Sequence, residues 1–571
     1  MAPQRHWPWY LLIAAGVLLV FGQTFGFDFV LWDDSALIYK NPFVNPPELH
    51  RMVIAWTQAH GHLYIPLTYN LWALLAMAGQ TATPDIFGAT LNPFLFHIAN
   101  VLVHLSSAIL LYHIVLLLIP RKPIAAAAAL IWAIHPLQVE AVVWCTGMKD
   151  VLSSALSMLA IWLYLLAASK HPWASDTRRR DILCVLAGVA MLVATFAKPG
   201  VIGIPAFVIA IDLLILCRPW RTVLRSATPM LLAIVPSIIL TQTAQPVTGA
   251  FFITAPWTRP LIAAHALSVY LQKLVWPNAF AIQYDLAPTH VMQGHWVYFA
   301  WLVPLSVTLA ILAYGKGRRF LLAAWLMFLA GVGPVLGLVP FVFQFFSTVA
   351  DRYVYMSMVG AALAFAWILW QLKPRVAIPI ATVICLGLAV RSYVQAATWS
   401  DAMALANHTV AVNPRSAIGY GHAAVCLFNE QKALAHDAQS LPESAAREAL
   451  FSQAAIKRQQ STSLFLKSLE FNPNDVTSFN NLGLIYAEEG RLEDSLVMLE
   501  KAVDALERMP AILTPPTVDR LNIAKACINL KHYERAINHL HRYLITHPND
   551  PEAITVLQQA QSLATQSTTQ P

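Results

Sequence analysis

The sequence predicts an all-α protein. A polytopic membrane bundle of about eleven spanning helices comes first, and a tetratricopeptide-repeat α-solenoid follows it. Three observations lead there. Of 571 residues, 57% are hydrophobic and 12% charged, about half the charged fraction of a soluble globular chain. Apolar runs of membrane-spanning length recur through the first two thirds and cease near Trp399. Beyond that point charge returns to ordinary levels and helix-pair patterns repeat. The expected division is 1–395 for the membrane region, 396–565 for the repeats and 566–571 for a disordered tail.

The chain opens MAPQRHWPWYLLIAAGVLLVFGQTF, with no small-x-small cleavage site after its apolar run. An uncleaved first span, from about Pro8 to Gly22 with Arg5 inside, is expected. The second starts near Phe94 and ends inward at Arg121 and Lys122. The third returns outward to His135, and the fourth runs from Val151 inward to SKHPWASDTRRR. The fifth goes out to Lys198, where Pro199-Gly200 turns the chain into a sixth that ends inside at CRPWRTVLR. The seventh exits near Leu240, and the eighth, from Tyr298, ends inward at KGRRF. The ninth exits near Pro340, the tenth ends at Lys373 and Arg375, and the eleventh exits near Arg391. Between the seventh and eighth, Leu261 to Trp276 is apolar but carries His265, Gln272 and Lys273. With both ends external, it reads as an amphipathic or re-entrant helix. Inner loops and span ends hold roughly twice the Lys and Arg of the outer ones, which sets the N-terminus inside and the repeats outside.

The remaining basic residues need no polyanionic partner. The net charge of +7 sits largely in short inter-span loops, so nucleic acid is not expected as a ligand. The six cysteines form no CxxC or Cys/His ligand pattern, so no disulfide framework is expected.

In the last third, SFNNLGLIYAEEGRLEDSLVMLEKAV sets Leu482-Gly483, Tyr486, Gly490 and Ala502 at tetratricopeptide spacing. LNIAKACINLKHYERAINHLHRYLITHPND repeats it with Ala524, Ala536, Tyr543 and Pro548. Partial copies end at Asn413-Pro414 and Asn472-Pro473, and Phe428 to Gln460 reads as a longer insertion or irregular helix. Such a solenoid offers a concave face to another protein and does no chemistry itself.

The chemistry-bearing residues gather at the outer ends of the spans. Asp33 and Asp34 follow the first. Glu140, Lys149 and Asp150 lie between the third and fourth, and Lys198 caps the fifth. Asp351, Arg352 and Tyr353 precede the tenth. Any one of them has a plain explanation as a solvated loop carboxylate or a snorkelling lysine. Their convergence on one side marks a functional site. Glycosyl transfer from a polyprenyl phosphate would use both signs of charge: a carboxylate to take the acceptor's proton, and cations to meet the leaving phosphate. Asp33 and Asp34 are the catalytic candidates. Lys198, Arg352 and Lys149 are the donor-phosphate candidates, and Glu140, Asp150, Asp351 and Tyr353 support them. His97, Asn100 and His104 form a helical stripe in the second span. Interhelical hydrogen bonding is its expected role, with support of the site as a second use. No metal is obligatory for a monophosphate leaving group.

These residues sit in FVLWDDSALIYKNPFV, YIPLTYN, FHIANVLVHLSSAILLY, HPLQVEAVVWCTGMKDVLS, FAKPG, YLQKLVWP with the following YD, and ADRYVYMS. In that order, and spread over nearly the whole chain, they resemble the membrane-spanning O-mannosyltransferases with C-terminal tetratricopeptide repeats and their bacterial relatives. Those enzymes belong to the GT-C glycosyltransferase superfamily. The resemblance implies that Asp33 or Asp34 is the base, that a polyprenyl-phosphate hexose, mannose first, is the donor, and that protein Ser/Thr is the acceptor. It also implies a periplasmic or lumenal site. Compact loops favour a bacterial inner membrane with periplasmic repeats; in an endoplasmic reticulum membrane Asn407 would head a glycosylation sequon. This chain has Ile65 where the family often has Arg, and Met148 where the bacterial relatives often have Arg. At 65 a phosphate or substrate contact is then either lost or supplied by Arg51 or Lys198.

Three competing readings follow from the same residues. A lipid or cell-surface glycan could be the acceptor. A non-catalytic, membrane-anchored repeat scaffold would need one span and no acid pair. A transporter would carry its ionisable groups at mid-membrane, where this chain has Asp212, near Arg218.

The sidedness is testable. Reporter fusions at Lys170, Arg225 and Lys316 are expected to read cytoplasm, and cysteines placed at Lys198, Arg352 or within the repeats to react from outside. A cytoplasmic result at Lys198 or Arg352 would contradict the assigned orientation.

Overall fold

The structure is a computed structural model. It describes residues 6–169, 176–244, 254–315, 317–339, 341–508, 520–548 and 550–569. Two expected reporter sites, Lys170 and Lys316, lie outside the described residues, as does Pro340. The described residues are helical and contain no strand. They divide into two units, Met1–His408 and Thr409–Pro571.

In the first unit each of the eleven expected spans corresponds to a helix or a helix pair. Among the described residues, eight helices are long and apolar enough to cross a membrane alone: Trp7–Gly26, Pro93–Leu118, Cys145–Ala168, Thr177–Ala197, Trp220–Ala244, His295–Ala313, Arg318–Val335 and Pro374–Ala397. Two of the remaining three expected spans are short. Met358–Gln371 has 14 residues, about 21 Å at helical rise against a hydrocarbon core of about 30 Å. Pro199–Leu214, the sixth, is likewise below spanning length. The third expected span is broken: Lys122–Ala133 and Pro136–Val143 meet at a 54° bend. Pro136 accounts for the break, because it lacks the N–H that a continuing helix would use. The bend and everything from Ala133 to Val151 are buried, as irregular backbone at membrane depth must be.

Helix starts follow local sequence. Asn92 accepts from Phe94 N ahead of Pro93–Leu118, and Asp176 accepts from Arg179 N ahead of Thr177–Ala197. The stretch Leu261 to Trp276 lies mostly in one helix, Arg259–Val275, which is not among the candidate spans. Asp212 is buried and bound by Tyr164 Oη at 2.7 Å and Arg218 Nε at 3.1 Å, a helix-packing acid.

The second unit is a series of helix hairpins. Ala417–Ser440 pairs with Ala445–Phe471, Val476–Glu488 with Leu492–Arg508, and Arg520–Asn529 with Tyr533–Thr546; Pro551–Thr569 closes the series. The stretch expected as an insertion, Phe428 to Gln460, is the outer part of the first hairpin. Ser416 and Ser444 cap its two helices. Small residues let them approach, with Ser461 Oγ donating to Ala424 O at 3.0 Å. Of the expected tail 566–571, Thr569 still ends the last helix and 570–571 lie outside the described residues.

Gly203 belongs to the turn between the fifth and sixth spans. A Cβ there would stand 2.0 Å from Ala330 O, a backbone atom of the ninth span. Gly203→Val is therefore expected to lower thermal stability by about 1–3 kcal/mol, measured by the melting of the purified protein. An unchanged melting temperature would show that the two helices can part at no cost.

Candidate active site

The two acids after the first span have different surroundings. Asp34 is buried, and its carboxylate accepts three hydrogen bonds. Val30 N reaches Oδ2 at 3.0 Å; Thr146 N and Oγ1 reach Oδ1 at 3.0 and 2.5 Å. Asp34 thus ties the loop after the first span to the turn that follows the broken span. Burial pushes its carboxyl up to about 6, against the pull of those donors. The Asp33 side chain is 41% exposed and lies 3.6 Å from Lys149 Nζ.

Lys149 and Asp150 open the fourth span directly after that turn. The turn is tight: a Cβ on Gly147 would lie 2.2 Å from Ala141 O. Lys149 Nζ also sits 4.9 Å from the Trp144 ring. Lys198, which caps the fifth span, donates to Asp150 Oδ1 and lies 5.5 Å from the Tyr353 ring. Asp150 Oδ2 is buried without a hydrogen-bond partner.

Arg352 and Glu140 form a buried pair. The guanidinium Nη1 donates to Oε1 and the backbone N donates to Oε2 at 3.0 Å. The guanidinium stacks between Phe343 at 4.5 Å, Tyr353 at 5.0 Å and Trp144 at 5.4 Å. Beside it, Asp351 accepts from Tyr284 Oη at 2.5 Å and lies 3.5 Å from Lys273 Nζ. Burial pushes the Asp351 carboxyl up and the Lys273 ammonium down, and each draws the other back toward its charged form.

The structure therefore brings Asp33, Asp34, Glu140, Lys149, Asp150, Lys198, Asp351, Arg352 and Tyr353 into one network at one end of the bundle. The stripe of the second span stands behind it. Asn100 Nδ2 donates to Trp144 O at 2.6 Å, and His97 faces the Cys145 thiol at 3.4 Å. His104 bonds Tyr355 Oη at 2.7 Å and Ala133 O at 3.0 Å, away from the charged groups. Arg51 turns to Glu48 and Pro42 O instead. Ile65 is buried, so position 65 offers packing and no charge. Three participants were not singled out for the site from sequence: Thr146, Lys273 and Tyr284. The last two lie in YLQKLVWP and the YD after it.

Each carboxylate of the cluster has at least one oxygen facing a cation or a hydrogen-bond donor. Among the described residues, Glu500, Cys527 and His539 in the repeat unit bring three metal-ligating atoms within 4.8 Å of one another. Arg520 Nη1 lies 2.9 Å from His539 Nδ1 and can only donate, so Nδ1 accepts and the ring proton sits on Nε2, 2.9 Å from Glu500. Arg535 forks onto the same carboxylate at 3.1 and 2.6 Å. The imidazole and the carboxylate are thus already engaged by the two arginines and by each other.

With that geometry in place, comparisons bear on it. The chain is similar to the protein O-mannosyl-transferase TMTC1. It is 30% identical over 158 residues to the proteins of that name from Homo sapiens and Mus musculus. The match covers 27% of this chain and 17% and 16% of the two relatives. A tetratricopeptide repeat matches residues 464–496, within the hairpin series. Among solved structures, the archaeal oligosaccharyltransferase AglB from Archaeoglobus fulgidus, in complex with an inhibitory peptide and a dolichol-phosphate, aligns at TM-score 0.37 and 14% identity over 70% of this chain and 56% of that one. ArnT from Cupriavidus metallidurans, bound to undecaprenyl phosphate, aligns at TM-score 0.33 and 14% identity over 88% and 81%.

The two acids are separable by stability. An amide at Asp34 would turn an N–H toward a donor, so Asp34→Asn is expected to cost about 1–3 kcal/mol, whereas Asp33→Asn stays within about 0.5 kcal/mol of the parent. The pH dependence has a definite sign. The folded Asp34 carboxyl sits at about 6, above its ordinary 3.8. Its contribution is thus present at low pH and lost as pH rises through about 6. The parent should gain on Asp34→Asn as pH falls from about 6 to about 4, in parallel melting curves.

Proposed function

We propose that this chain is a membrane glycosyltransferase of the GT-C type. It moves a hexose, mannose by similarity, from a polyprenyl-phosphate donor to an acceptor hydroxyl on the outer face of the membrane. The observation that carries the reading is the convergence of Lys149, Lys198 and Arg352 with a half-exposed carboxylate, Asp33, at one end of a bundle of membrane-length helices.

Asp33 suits the base because it is accessible and Asp34 is not. The acceptor oxygen attacks the anomeric carbon as its proton passes to an Asp33 oxygen. The bond from the anomeric carbon to the phosphate oxygen breaks, and the electron pair stays on the phosphate. Lys198 and Arg352 stand where that charge would grow. Lys149, 3.6 Å from Asp33, orients the carboxylate before transfer. The free Oδ2 of Asp150 offers an acceptor for a sugar hydroxyl. The lipid tail lies among the spans, and the repeats engage a protein acceptor presenting Ser or Thr. We place the site on the periplasmic face of a bacterial inner membrane, or the lumenal face of the endoplasmic reticulum. A lipid or glycan acceptor would use the same chemistry without the repeats.

Asp33→Asn is expected to lower transfer about 10²- to 10⁴-fold with donor binding unchanged. Lys198→Ala and Arg352→Ala weaken donor binding as well, because the donor already carries a negative phosphate. Release of radiolabelled sugar and equilibrium donor binding measure the two effects. Near-normal transfer by the Asp33→Asn, Asp34→Asn double variant would exclude the acid pair from catalysis.

A further inference from the structure

Asp351 is a buried carboxylate adjacent in sequence to Arg352, and the pairing just described does not use it. The Arg352 guanidinium acts on it electrostatically, so an unopposed charge there would compete for that cation. Other groups hold it instead. Lys273 Nζ lies 3.5 Å from Oδ1 and Tyr284 Oη donates to Oδ2 at 2.5 Å. Lys273 also donates to Tyr284 Oη at 2.7 Å and to Ala279 O at 3.1 Å, and Ala281 N donates to the same phenol at 3.0 Å. Tyr270, one turn before Lys273, binds Ala350 at both its N and O, at 3.1 and 3.3 Å.

The loop that presents Tyr284 is itself held from several sides. Arg391 donates to Pro277 O at 3.1 Å, His408 Nε2 lies 2.7 Å from Phe280 O, and Thr348 N donates to Leu286 O at 2.9 Å. Ala279 and Asp285, on either side of Tyr284, have φ of 51° and 53°. Side chains adopt that region only where surrounding contacts impose it, and such strain gathers at functional sites.

We propose that Lys273 and Tyr284 are positioning residues that hold the Asp351 carboxylate away from Arg352, so that the guanidinium can meet the donor phosphate. The inference rests on the reading of Arg352 as a phosphate-binding cation. Lys273 and Tyr284 do not touch the substrate; they act through Asp351.

The test uses the full chain in lipid nanodiscs, with decaprenyl phosphate and the uncharged decaprenol as paired probes. Lys273→Met is expected to weaken decaprenyl phosphate binding about 3- to 30-fold and to leave decaprenol binding unchanged. Adding Asp351→Asn removes the competing charge and is expected to restore phosphate binding to within about twofold of the parent. A purely structural lysine would give neither the phosphate selectivity nor the rescue. Equal loss of both probes, or a double variant no better than Lys273→Met, would overturn the proposal. Should Lys273→Met fail to fold, Tyr284→Phe carries the same expectation at about threefold. Arg352→Ala separates the two levels. If it binds decaprenyl phosphate like the parent, the phosphate role of Arg352 fails; if it loses binding while Lys273→Met does not, only the positioning role fails.

Discussion

An ionised side chain withdrawn from water is tolerated only against an opposite charge or a full set of hydrogen bonds. The end of the bundle that gathers these loops is organised by that constraint. Asp33 meets Lys149, Asp150 meets Lys198, Glu140 meets Arg352 and Asp351 meets Lys273. The partners come from distant parts of the chain, Glu140 and Arg352 being 212 residues apart. Helix packing brings the loops close, and the charges then fix which loop meets which. In the two pairs buried on both sides, Glu140–Arg352 and Asp351–Lys273, removing one member leaves its partner buried and unpaired, so each such substitution acts on two loops.

The broken third span is the backbone counterpart. A straight helix through His135 and Pro136 would carry Glu140 along its axis and leave no turn at Trp144–Gly147. The bend buries that segment against the second span, where Asn100 holds Trp144 O, and against Asp34, which holds Thr146. The two acids thereby differ: Asp34 fastens the loop and Asp33 stays partly exposed.

Much of this was legible in the sequence, for physical reasons. Apolar length marks spans, and tetratricopeptide spacing marks hairpins because small residues must face each other. The helices at both short spans were found because turn residues and basic ends bounded them, although Met358–Gln371 is too short to qualify by length. The acids and bases at the span ends stood out by their scarcity. Thr146 did not, because a hydroxyl has no pattern and its partner lies 112 residues away. Lys273 and Tyr284 read as part of an amphipathic helix and its following loop, since nothing local shows that both turn inward to Asp351. The difference between Asp33 and Asp34 is one of burial, which adjacent identical residues cannot display in sequence.

The central claim is that this network receives a lipid-linked sugar phosphate. The most direct measurement incubates the purified full chain with a panel of radiolabelled polyprenyl-phosphate sugars and nucleotide sugars, and follows the label and the lipid together. Consumption of one polyprenyl-phosphate hexose, with polyprenyl phosphate released in equal amount, is the predicted result. Consumption of a nucleotide sugar with every lipid-linked donor left intact would contradict it.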